Sequence, residues 1–391
     1  MKLLTINSDP NAGGSTISLL HLLAGLKAKG ADLLVVIPST GFCSKQLEKL
    51  RIPYRINPYI ILNVWPSLKC ADDIWKFFPR LIRNGIYSVL AYSRLAKTVK
   101  EYRPDLIHSN NSLIEIGFRF SHRHGIPHVW HIREYGDRDF RLKYFPSARR
   151  QQKHLAESHT IPITEHLARH FNLDKKYRVI YNGICSTADV FYDPNKENYF
   201  LYVGAVNENK GVTDMISAYV EYCNPANDDK LVVIGRYNDE YLLQLKKLIA
   251  DTSAESRVLF LGQTENPYRY MQKAKAMIVP SKCEGFGRIT AEAMFNGCLV
   301  IGRNTGGTKE QFDNGLALTG KEIGLRFSST QELVNALQQV DDYSETEKEL
   351  IIKDAQKTVK TFYTIENNIE QTYEFLAECQ IPTRVGIQQI G

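Results

Sequence analysis

Two series of short apolar runs, each run followed by a longer amphipathic segment, constrain the fold of this chain more than any other feature. In the first half these strand candidates are "KLLTIN", "ADLLVVI", "DLIHSN", "PHVWHI" and "HTIPI". In the second half they are "FLYVGA", "KLVVIG", "RVLFLG", "AMIVPS" and "CLVIG". Alternating strands and helices are typical of parallel sheets. The sequence therefore predicts an α/β protein with two Rossmann-like, parallel-sheet domains.

The domain boundaries follow from the length and from one polar stretch. A chain of 391 residues is too long for one ordinary core. The stretch "RVIYNGICSTADVFYDPNKEN" begins apolar and then becomes polar and irregular. We predict an N-terminal domain over 1–181, a linker over 182–197, a C-terminal domain over 198–365, and a helical segment over 366–391 that returns to the N-terminal domain. The two sheets are expected to face each other across a cleft, because ligands bind at the carboxyl ends of parallel strands.

The composition is that of a water-soluble protein, with 43% hydrophobic and 24% charged residues. No apolar run approaches the roughly 18 residues of a spanning helix. The opening "MKLLTINSDPNAGG" does not resemble a secretory signal, so we expect a cytoplasmic protein. The seven cysteines show no CxxC or Cys/His ligand spacing, which argues against a disulfide framework or a zinc site.

Charge is distributed unevenly between the two halves. Residues 1–180 hold 28 Lys or Arg and 14 Asp or Glu, whereas residues 181–391 hold 21 and 29. A basic first half indicates an acidic partner, either nucleic acid or an anionic membrane. We find no aromatic and basic platform such as an RNP motif, so nucleic acid is not expected.

The segment 65–100 has the composition of an interfacial helix. It contains seven Lys or Arg against two Asp, and aromatic residues are interleaved with the basic ones. The apolar residues at helical spacing are Ile74, Phe77, Phe78, Leu81 and Ile82, with Trp65 and Trp75 close by. The basic residues beside them in the sequence are Lys76, Arg80 and Arg83. We interpret the segment as one that docks on the cytoplasmic face of an anionic membrane. The alternative is a helix pair packed on the first sheet, with its charges merely solvated.

Two glycine-containing loops are candidates for binding a ligand. Gly13 and Gly14 precede a helix that should begin near Ser15 or Thr16, so N–H groups at its start could approach a phosphate. A capped tight turn would explain them equally well. The loop lacks the GxGxxG pattern with a following acidic residue that marks dinucleotide binding.

The second loop, "EGFGRITAEAM", adds two carboxylates. Gly285 and Gly287 allow close approach of a ligand, and the helix from about Arg288 points its N-terminus at it. Glu284 precedes the turn and Glu292 lies about one helical turn beyond it. Two carboxylates would repel a bare phosphate but suit a diphosphate with a sugar at each end, which indicates a nucleotide sugar. Two surface glutamates near a capped helix are the alternative.

At this point the sequence resembles a known family. "VPSKCEGFGRITAEAM" is similar to the E-x7-E region of glycosyltransferase family 4, whose members are retaining enzymes of the GT-B fold. Seven other pieces occur in the family's order: "AGGSTISLLHLLAGL", "DLIHSN", "PHVWHIRE", "VIYNGI", "FLYVGAVNENKG", "LVVIG" and "NTGGTKE". The resemblance covers most of the chain.

The resemblance implies that the second domain holds most of a nucleotide-sugar donor, such as a UDP- or GDP-sugar. Glu292 would bind the ribose hydroxyls and Glu284 a hydroxyl of the donor sugar. The residues implied along the diphosphate are Phe286, Gly287 and Arg288.

The resemblance also implies residues near the bond that breaks. Lys210 matches the family lysine that neutralises the departing diphosphate, and His131 matches a histidine near the reacting carbon. Gly13 and Gly14 match the loop that nears the diphosphate from the first domain. The acceptor, a lipid-linked or growing cell-surface glycan, would bind the first domain.

One position departs from the family pattern. Gly204, Ala205 and Val206 stand where the family usually has Gly-Arg-Leu, so the arginine that accompanies the lysine is missing. Loss of a charge-assisted contact to the leaving phosphate would be costly. We expect another basic group to supply the charge, and the candidates are Arg288, Arg133 and Arg303.

The reaction implied is hexosyl transfer with retention, without a metal, a further cofactor or a protein nucleophile. The leaving diphosphate oxygen would accept the proton of the acceptor hydroxyl. The alternatives are a catalytically weak or dead protein that only binds nucleotide sugars, a nucleotide-sugar epimerase, or a sugar phosphorylase, although a pyridoxal-type phosphorylase would need a much longer chain.

Overall fold

The computed structural model describes residues 1–65, 73–224 and 228–380. The chain divides into two compact units, one formed by Met1–Gly183 with Asn368–Gly391 and the other by Ile184–Asn367. No helix in these described ranges is both long enough and apolar enough to cross a bilayer.

The first unit contains a six-stranded sheet in which all neighbours are parallel, in the order β3-β2-β1-β4-β5-β6. Its strands are β1 Lys2–Ile6, β2 Asp32–Ile37, β3 Tyr54–Ile56, β4 Leu106–Ser109, β5 His128–Ile132 and β6 His159–Pro162. In the middle of the sheet Thr5 pairs with both Val35 and His108. The central strands β1, β4 and β5 are almost wholly buried, as expected for a parallel sheet covered on both faces.

Helices cover both faces of this sheet. They are α1 Gly14–Ala28, α2 Phe42–Lys49, α3 Asp73–Tyr102, α4 Glu115–His124, α5 Asp137–Phe140, α6 Ala148–Glu157 and α7 Glu165–His170. One apolar core contains Leu19 and Leu23 of α1, and the other contains Ala91 and Leu95 of α3 together with Phe120 of α4.

The second unit repeats this design with strand order β12-β11-β10-β7-β8-β9, again all parallel. Its strands are β7 Glu197–Val203, β8 Lys230–Ile234, β9 Val258–Gly262, β10 Ala274–Val279, β11 Val300–Arg303 and β12 Leu325–Phe327. Its helices are α8 Val212–Tyr222, α9 Asp239–Ile249, α10 Tyr268–Lys273, α11 Arg288–Phe295, α12 Gly306–Thr319, α13 Thr330–Asp342 and α14 Glu345–Phe362, and the last helix of the chain, α15 Ile365–Gln380, begins in this unit. Short 3₁₀ turns occur at Thr187–Asp189 and Glu208–Lys210.

The predicted α/β class with two parallel sheets is confirmed, and each of the ten predicted strands is present. In each unit the first strand of the sheet lies beside the fourth, so the strand order reverses there, as in doubly wound folds. The loops at the carboxyl ends of β1 and β4, and of β7 and β10, are therefore the expected places for ligands. The three-residue strands β3 and β12 were not predicted.

The last helix, α15, begins in the second unit, and its residues from Asn368 onward belong to the first. Phe375 and Leu376 are buried in the core of the first unit. Arg178 pairs with Glu378 at 2.8 Å on the same unit. Residues 381–391 of the predicted returning segment lie outside the described residues.

Glycines in left-handed backbone shape two turns of the second unit. Gly211 ends the 3₁₀ turn at Glu208–Lys210 with φ +69°, and a Cβ there would lie 2.1 Å from the carbonyl oxygen of Pro280. Gly320 ends α12 with φ +75°, but a Cβ there would meet nothing within 4 Å. The first glycine therefore allows two backbones to touch, whereas the second only allows the turn.

This pair gives a matched test. Gly320→Ala should lower the free energy of unfolding by about 1 kcal/mol, the cost of left-handed backbone for a residue with a Cβ. Gly211→Ala should lower it by about 2 kcal/mol or more, because the clash with Pro280 is added. Urea denaturation followed by circular dichroism measures both. Equal losses would mean that the close approach at Gly211 is not rigid.

Candidate functional site

The turn before α11 lies at the carboxyl end of β10 in the second unit. Gly287 caps the helix with φ +77°, and a Cβ there would lie 2.9 Å from Thr308 Oγ1. Helix α11 begins at Arg288, as predicted, and ends at Phe295. The N–H groups of its first turn have no acceptor within the helix, which suits a phosphate or another oxygen ligand.

The start of α12 holds this turn from the other side. The Gly307 N–H donates to the Glu284 carbonyl at 2.9 Å, and Gln311 Nε2 donates to the Phe286 carbonyl at 2.6 Å. A Cβ on Gly307 would lie 2.2 Å from the Phe286 backbone, so only glycine allows the contact. The segment "NTGGTKE" resembles the family, but no role was predicted for it from the sequence. The signal was the glycine pair directly before a helix.

Lys210 and Glu284, predicted as separate donor ligands, form an ion pair. Lys210 Nζ lies 2.5 Å from Glu284 Oε1, and the side chains are 34% and 18% exposed. The 3₁₀ turn that carries Lys210 is capped by Asn207, whose side chain accepts from the Lys210 N–H. The pair leaves two ammonium hydrogens and the other carboxylate oxygen for further bonds.

Both residues line a cavity of about 190 Å³ at the carboxyl ends of β7 and β10. Its wall also includes Arg288, at the start of α11, and Ala205, which occupies the position where the family usually has an arginine. The remaining lining residues are Tyr202, Val203, Gly204, Ile278, Val279, Pro280, Ser281 and Ile289. Two cationic groups and one carboxylate therefore converge on one concave surface, a combination that suits a diphosphate joined to a hydroxylated ring.

A second cavity, of about 420 Å³, shares Val203, Gly204 and Ala205 with the first. It lies at the carboxyl ends of β7, β8 and β9 and includes Arg236, which the sequence analysis did not identify. The Val206 N–H donates to the Arg236 carbonyl at 2.8 Å, so Ala205 and Arg236 lie on adjacent chain segments.

Glu292 lies beyond the first cavity, one turn into α11. Arg288 Nε donates to its Oε1 at 3.2 Å, and the Glu292 side chain is 12% exposed. Burial raises the pKa of the Glu292 carboxyl, and the Arg288 charge offsets part of that rise. Phe286 differs from its predicted neighbours because its side chain is buried and packs edge-on against Tyr363. Only its backbone can meet a ligand.

The three candidates for the missing arginine lie in different surroundings. Arg303 is held by Asp214 at 2.6 Å and donates to the Pro280 carbonyl. Arg133 belongs to the first unit, where it is buried. Only Arg288 among these three lines the cavity that contains Ala205 and Lys210.

In the first unit, Gly13 and Gly14 begin α1 at the carboxyl end of β1, one residue earlier than predicted. Asp9 folds back over this turn, and its Oδ2 would lie 2.6 Å from a Cβ on Gly13. Its other oxygen accepts from the Asn11 N–H at 2.9 Å. A carboxylate so close favours hydroxyl groups over phosphate near Gly13, and the diphosphate contact stays a prediction.

His131, at the end of β5, is fully buried. Arg133 Nη2 lies 3.4 Å from His131 Nδ1, and a guanidinium only donates, so Nδ1 accepts and Nε2 carries the proton. No protein acceptor meets that Nε2 in the described part of the chain. Burial, together with the charge of Arg133, holds the pKa of His131 well below its ordinary value. The ring is therefore a neutral hydrogen-bond donor.

Arg133 fixes the orientation of His131 and is itself held by two asparagines. It donates to Asn110 Oδ1 and Asn182 Oδ1, each at 2.7 Å. The next residue, Glu134, was also not predicted as a site residue from the sequence. It accepts a hydrogen bond from Asn111 Nδ2, and burial raises its pKa to about 7.

In the described ranges, no group of three or more His, Cys, Asp or Glu lies close enough together to hold a metal ion. Metal independence stays a prediction.

Two family models match the chain one after the other. The model described as Glycosyltransferase Family 4 matches residues 12–187, and the model described as Glycosyl transferases group 1 matches residues 189–357.

Two curated relatives match part of the chain. The O-antigen chain mannosyltransferase RfbU of Salmonella typhimurium is 32% identical over 165 residues, which are 41% of this chain and 45% of that protein. The N-acetylgalactosamine-N,N'-diacetylbacillosaminyl-diphospho-undecaprenol 4-alpha-N-acetylgalactosaminyltransferase of Campylobacter jejuni is 31% identical over 147 residues, 35% of this chain and 38% of that protein. The matches span less than half the length of either relative.

Solved structures match the whole fold. The Anabaena protein Alr3699/HepE in complex with UDP has a TM-score of 0.76 at 20% identity, covering 97% of this chain and 100% of that one. Its complex with UDP-glucose has a TM-score of 0.72 over the same shares. Since the two family models follow each other over most of the sequence and the fold agrees, the chain belongs to glycosyltransferase family 4 and has the GT-B fold.

Proposed function

We propose that the protein is a retaining glycosyltransferase that moves a hexose from a nucleotide-sugar donor to a lipid-linked or growing cell-surface glycan. The observation that carries the proposal is the convergence of Lys210, Arg288 and Glu284 on one cavity at the carboxyl ends of β7 and β10. Family membership supports the reaction class. The names of the relatives, one acting in O-antigen synthesis and one on a diphospho-undecaprenol glycan, support the acceptor class.

The donor would bind the second unit. Lys210 and Arg288 would meet the diphosphate beside the N-terminus of α11, where N–H groups of the first turn add a positive field. Glu284 would accept from a hydroxyl of the donor sugar through the oxygen that Lys210 does not hold. Glu292 would accept from the ribose hydroxyls. The Anabaena protein of like fold was crystallised with UDP and with UDP-glucose, which makes UDP the first nucleotide to test.

In the proposed reaction the bond from the donor anomeric carbon to the diphosphate oxygen breaks. The acceptor oxygen bonds to the same face of that carbon, and its proton passes to the departing diphosphate. Negative charge on the diphosphate grows as the bond breaks, so Lys210 and Arg288 would stabilise the transition state more than the bound donor. The proposed reaction is metal-independent for the same reason.

The first unit would contribute the acceptor side. His131 is neutral and has its Nε2–H without a protein acceptor, so it can donate to a sugar oxygen without adding charge. Because Arg133 holds the Nδ1 side, this tautomer is kept. With a lipid-linked acceptor, the transfer reaction would take place at the inner face of the cell membrane. We therefore propose a cytoplasmic protein that binds this membrane face peripherally.

Ala205 favours a second candidate, a protein that binds nucleotide sugars but turns them over weakly or not at all. The family arginine is missing there, and a leaving group with one cation fewer departs more slowly. Arg288 in the same cavity argues for a working enzyme.

One experiment separates these candidates. The protein is incubated with UDP-, GDP- and ADP-sugars without an acceptor, and slow release of nucleotide is measured, since a transferase also hydrolyses its donor slowly. Release from one donor class, absent in Lys210→Ala, would support transfer. Tight binding of one donor with no release would favour the binding protein, and no binding of any donor would overturn both.

Glu292→Ala should weaken binding of the free nucleotide. Removing a carboxylate that accepts from a diol loses hydrogen bonds of roughly 1.5 to 3 kcal/mol each. Calorimetric titration with UDP and GDP measures the loss, and Glu221→Ala, an exposed glutamate at the far end of α8, is the control. Since burial raises the pKa of Glu292, wild-type affinity should begin to fall on acidification above the ordinary glutamate pKa. If Glu292→Ala binds every nucleotide with unchanged affinity, Glu292 does not bind the ribose hydroxyls.

Lys210→Ala should lower turnover more than donor affinity. A single charge-assisted donor to a developing oxyanion is worth roughly a 100-fold change in kcat or more, while the bound donor keeps its other contacts. Steady-state kinetics with separate donor titration gives both values. Lys246→Ala on the exposed side of α9 is the control. Equal turnover would take Lys210 out of the mechanism.

Arg288 and Ala205 allow a test by complementation. Arg288→Ala should slow turnover by about ten-fold or more, because a charge-assisted contact to the diphosphate is lost. Ala205 is exposed and lines the same cavity, so Ala205→Arg in that background should restore much of the rate. Ala205→Glu, which adds a side chain of the opposite charge, should not. Failure of Ala205→Arg to restore any activity would mean that Arg288 does not replace the family arginine.

A further inference from the structure

Helix α3 of the first unit is packed along one half and exposed along the other. Ala91 and Leu95, in the second half, are buried in the core. From residue 74 to residue 90 the helix has no buried residue. On its inner side, this first half of the helix packs through Phe77, whose ring stacks on that of Trp65 with 5.9 Å between the ring centroids. Trp65 in turn meets Phe145 edge-on at 4.8 Å.

The outer side of that half is apolar. Eight of the eighteen large hydrophobic side chains exposed among the described residues lie on α3. Six of them recur at steps of three or four residues, with one extra at the start, which places them on one side of the helix. This exposed stripe consists of Ile74 (60% exposed), Trp75 (87%), Phe78 (70%), Ile82 (67%), Ile86 (56%) and Val89 (70%).

The exposed stripe lies in a strongly basic part of α3, although the helix begins at Asp73. Between Ile74 and Lys100 the sequence has six Lys or Arg and no Asp or Glu. At 100° per residue, Lys76, Arg80 and Arg83 form a second row about 140° around the helix from the middle of the stripe, on the polar side of this half of α3. Their long side chains can carry positive charge toward a surface that the stripe enters.

We propose that the exposed stripe docks the first unit on an anionic phospholipid bilayer, with α3 lying in the plane of the interface. Over 16 residues the stripe is about 24 Å long. It is one side of a single helix rather than a groove, so it suits a soft, extended surface. Large apolar and aromatic side chains on one side and basic residues on the polar side are what an interfacial helix presents to anionic lipid.

The inference goes beyond the proposed sugar transfer, and its test needs no donor or acceptor. Wild-type protein is sedimented with vesicles of phosphatidylcholine alone and of phosphatidylcholine with about 30% phosphatidylglycerol, a composition chosen to give the negative surface potential described for cytoplasmic leaflets. Binding should require the anionic lipid and weaken as salt rises, since the Debye length shortens. Trp75 should shift its fluorescence to shorter wavelength on binding, and Trp75→Phe should remove most of that shift.

Two variants separate the apolar and the charged contributions. The triple variant Trp75→Ser, Phe78→Ser, Ile82→Ser removes apolar area that is already exposed, so the fold should survive. The triple variant Lys76→Glu, Arg80→Glu, Arg83→Glu reverses the basic row. Each basic residue near a membrane is worth roughly a five-fold change in partitioning, so the second variant should bind at least ten-fold more weakly.

Each variant has a matched control on the second unit. Leu243→Ser, Leu248→Ser and Leu350→Ser together remove three exposed apolar side chains elsewhere, since these leucines are 59%, 42% and 51% exposed. Lys230→Glu, Lys246→Glu and Lys247→Glu make the same change in net charge at exposed positions. Both controls should bind vesicles like the wild type. Circular dichroism and UDP titration show that each variant is folded, and a failure to bind UDP in all proteins would count against the proposed function and leave the docking result intact.

Three results would overturn the proposal. The stripe variant could sediment with anionic vesicles as the wild type does, or the wild type could bind neutral vesicles equally well. Alternatively, sedimentation velocity without lipid could show a wild-type dimer that the stripe variant loses, with no vesicle binding by either protein. That outcome would assign the exposed stripe to a second copy of the chain.

Discussion

The candidate donor site depends on a contact between two backbones. The Glu284 carbonyl accepts from the Gly307 N–H, and the Phe286 backbone packs where any side chain on Gly307 would lie. This contact sets the direction of the turn into α11, and with it the positions of Glu284 and Arg288. Glu284 and the start of α11 therefore depend on two glycines, Gly306 and Gly307, that lie more than twenty residues beyond Glu284 in the chain. A side chain at Gly306 would also collide, in its case with the Glu284 carbonyl.

Electrostatics explain why the cavity tolerates both signs of charge. Lys210 neutralises Glu284, and Arg288 is shared between the cavity and Glu292. Each carboxylate thus has a cationic partner, so a diphosphate that enters meets less repulsion than two bare glutamates would cause. The same arrangement makes the site sensitive to loss of either cation, because a partly buried carboxylate would then be left without a partner. Ala205 belongs to this balance, since it is where the family has one more positive charge.

Much of the fold could be predicted because its signals are local. Strands such as "KLLTIN" and "KLVVIG" are apolar and bounded by polar residues or glycine, and these features report burial directly. The strands β3 and β12 have three residues each, too few for a pattern. The start of α11 could be predicted from its two glycines. The Lys210–Glu284 ion pair could not, because it joins residues 74 positions apart and depends on the turn at Gly211. Asp9 beside Gly13 and the acceptor-free Nε2 of His131 are likewise products of packing. In segment 65–100 the sequence showed helical spacing, yet which apolar residues face inward depended on Trp65 and Phe145; residues 66–72 of that segment lie outside the described residues.

The exposed stripe on α3 has a consequence for the protein in bulk water. Six large exposed apolar side chains on one helix favour contact between two copies in the absence of lipid, since apolar surface favours contact with apolar surface. The first half of the chain carries twice as many basic as acidic residues, and like charges repel at the distances over which copies approach. Added salt should therefore lower the colloidal stability of the protein, because it screens the repulsion and leaves the apolar attraction in place. Dilute buffer should keep the protein monodisperse, and concentrated salt should favour its self-association.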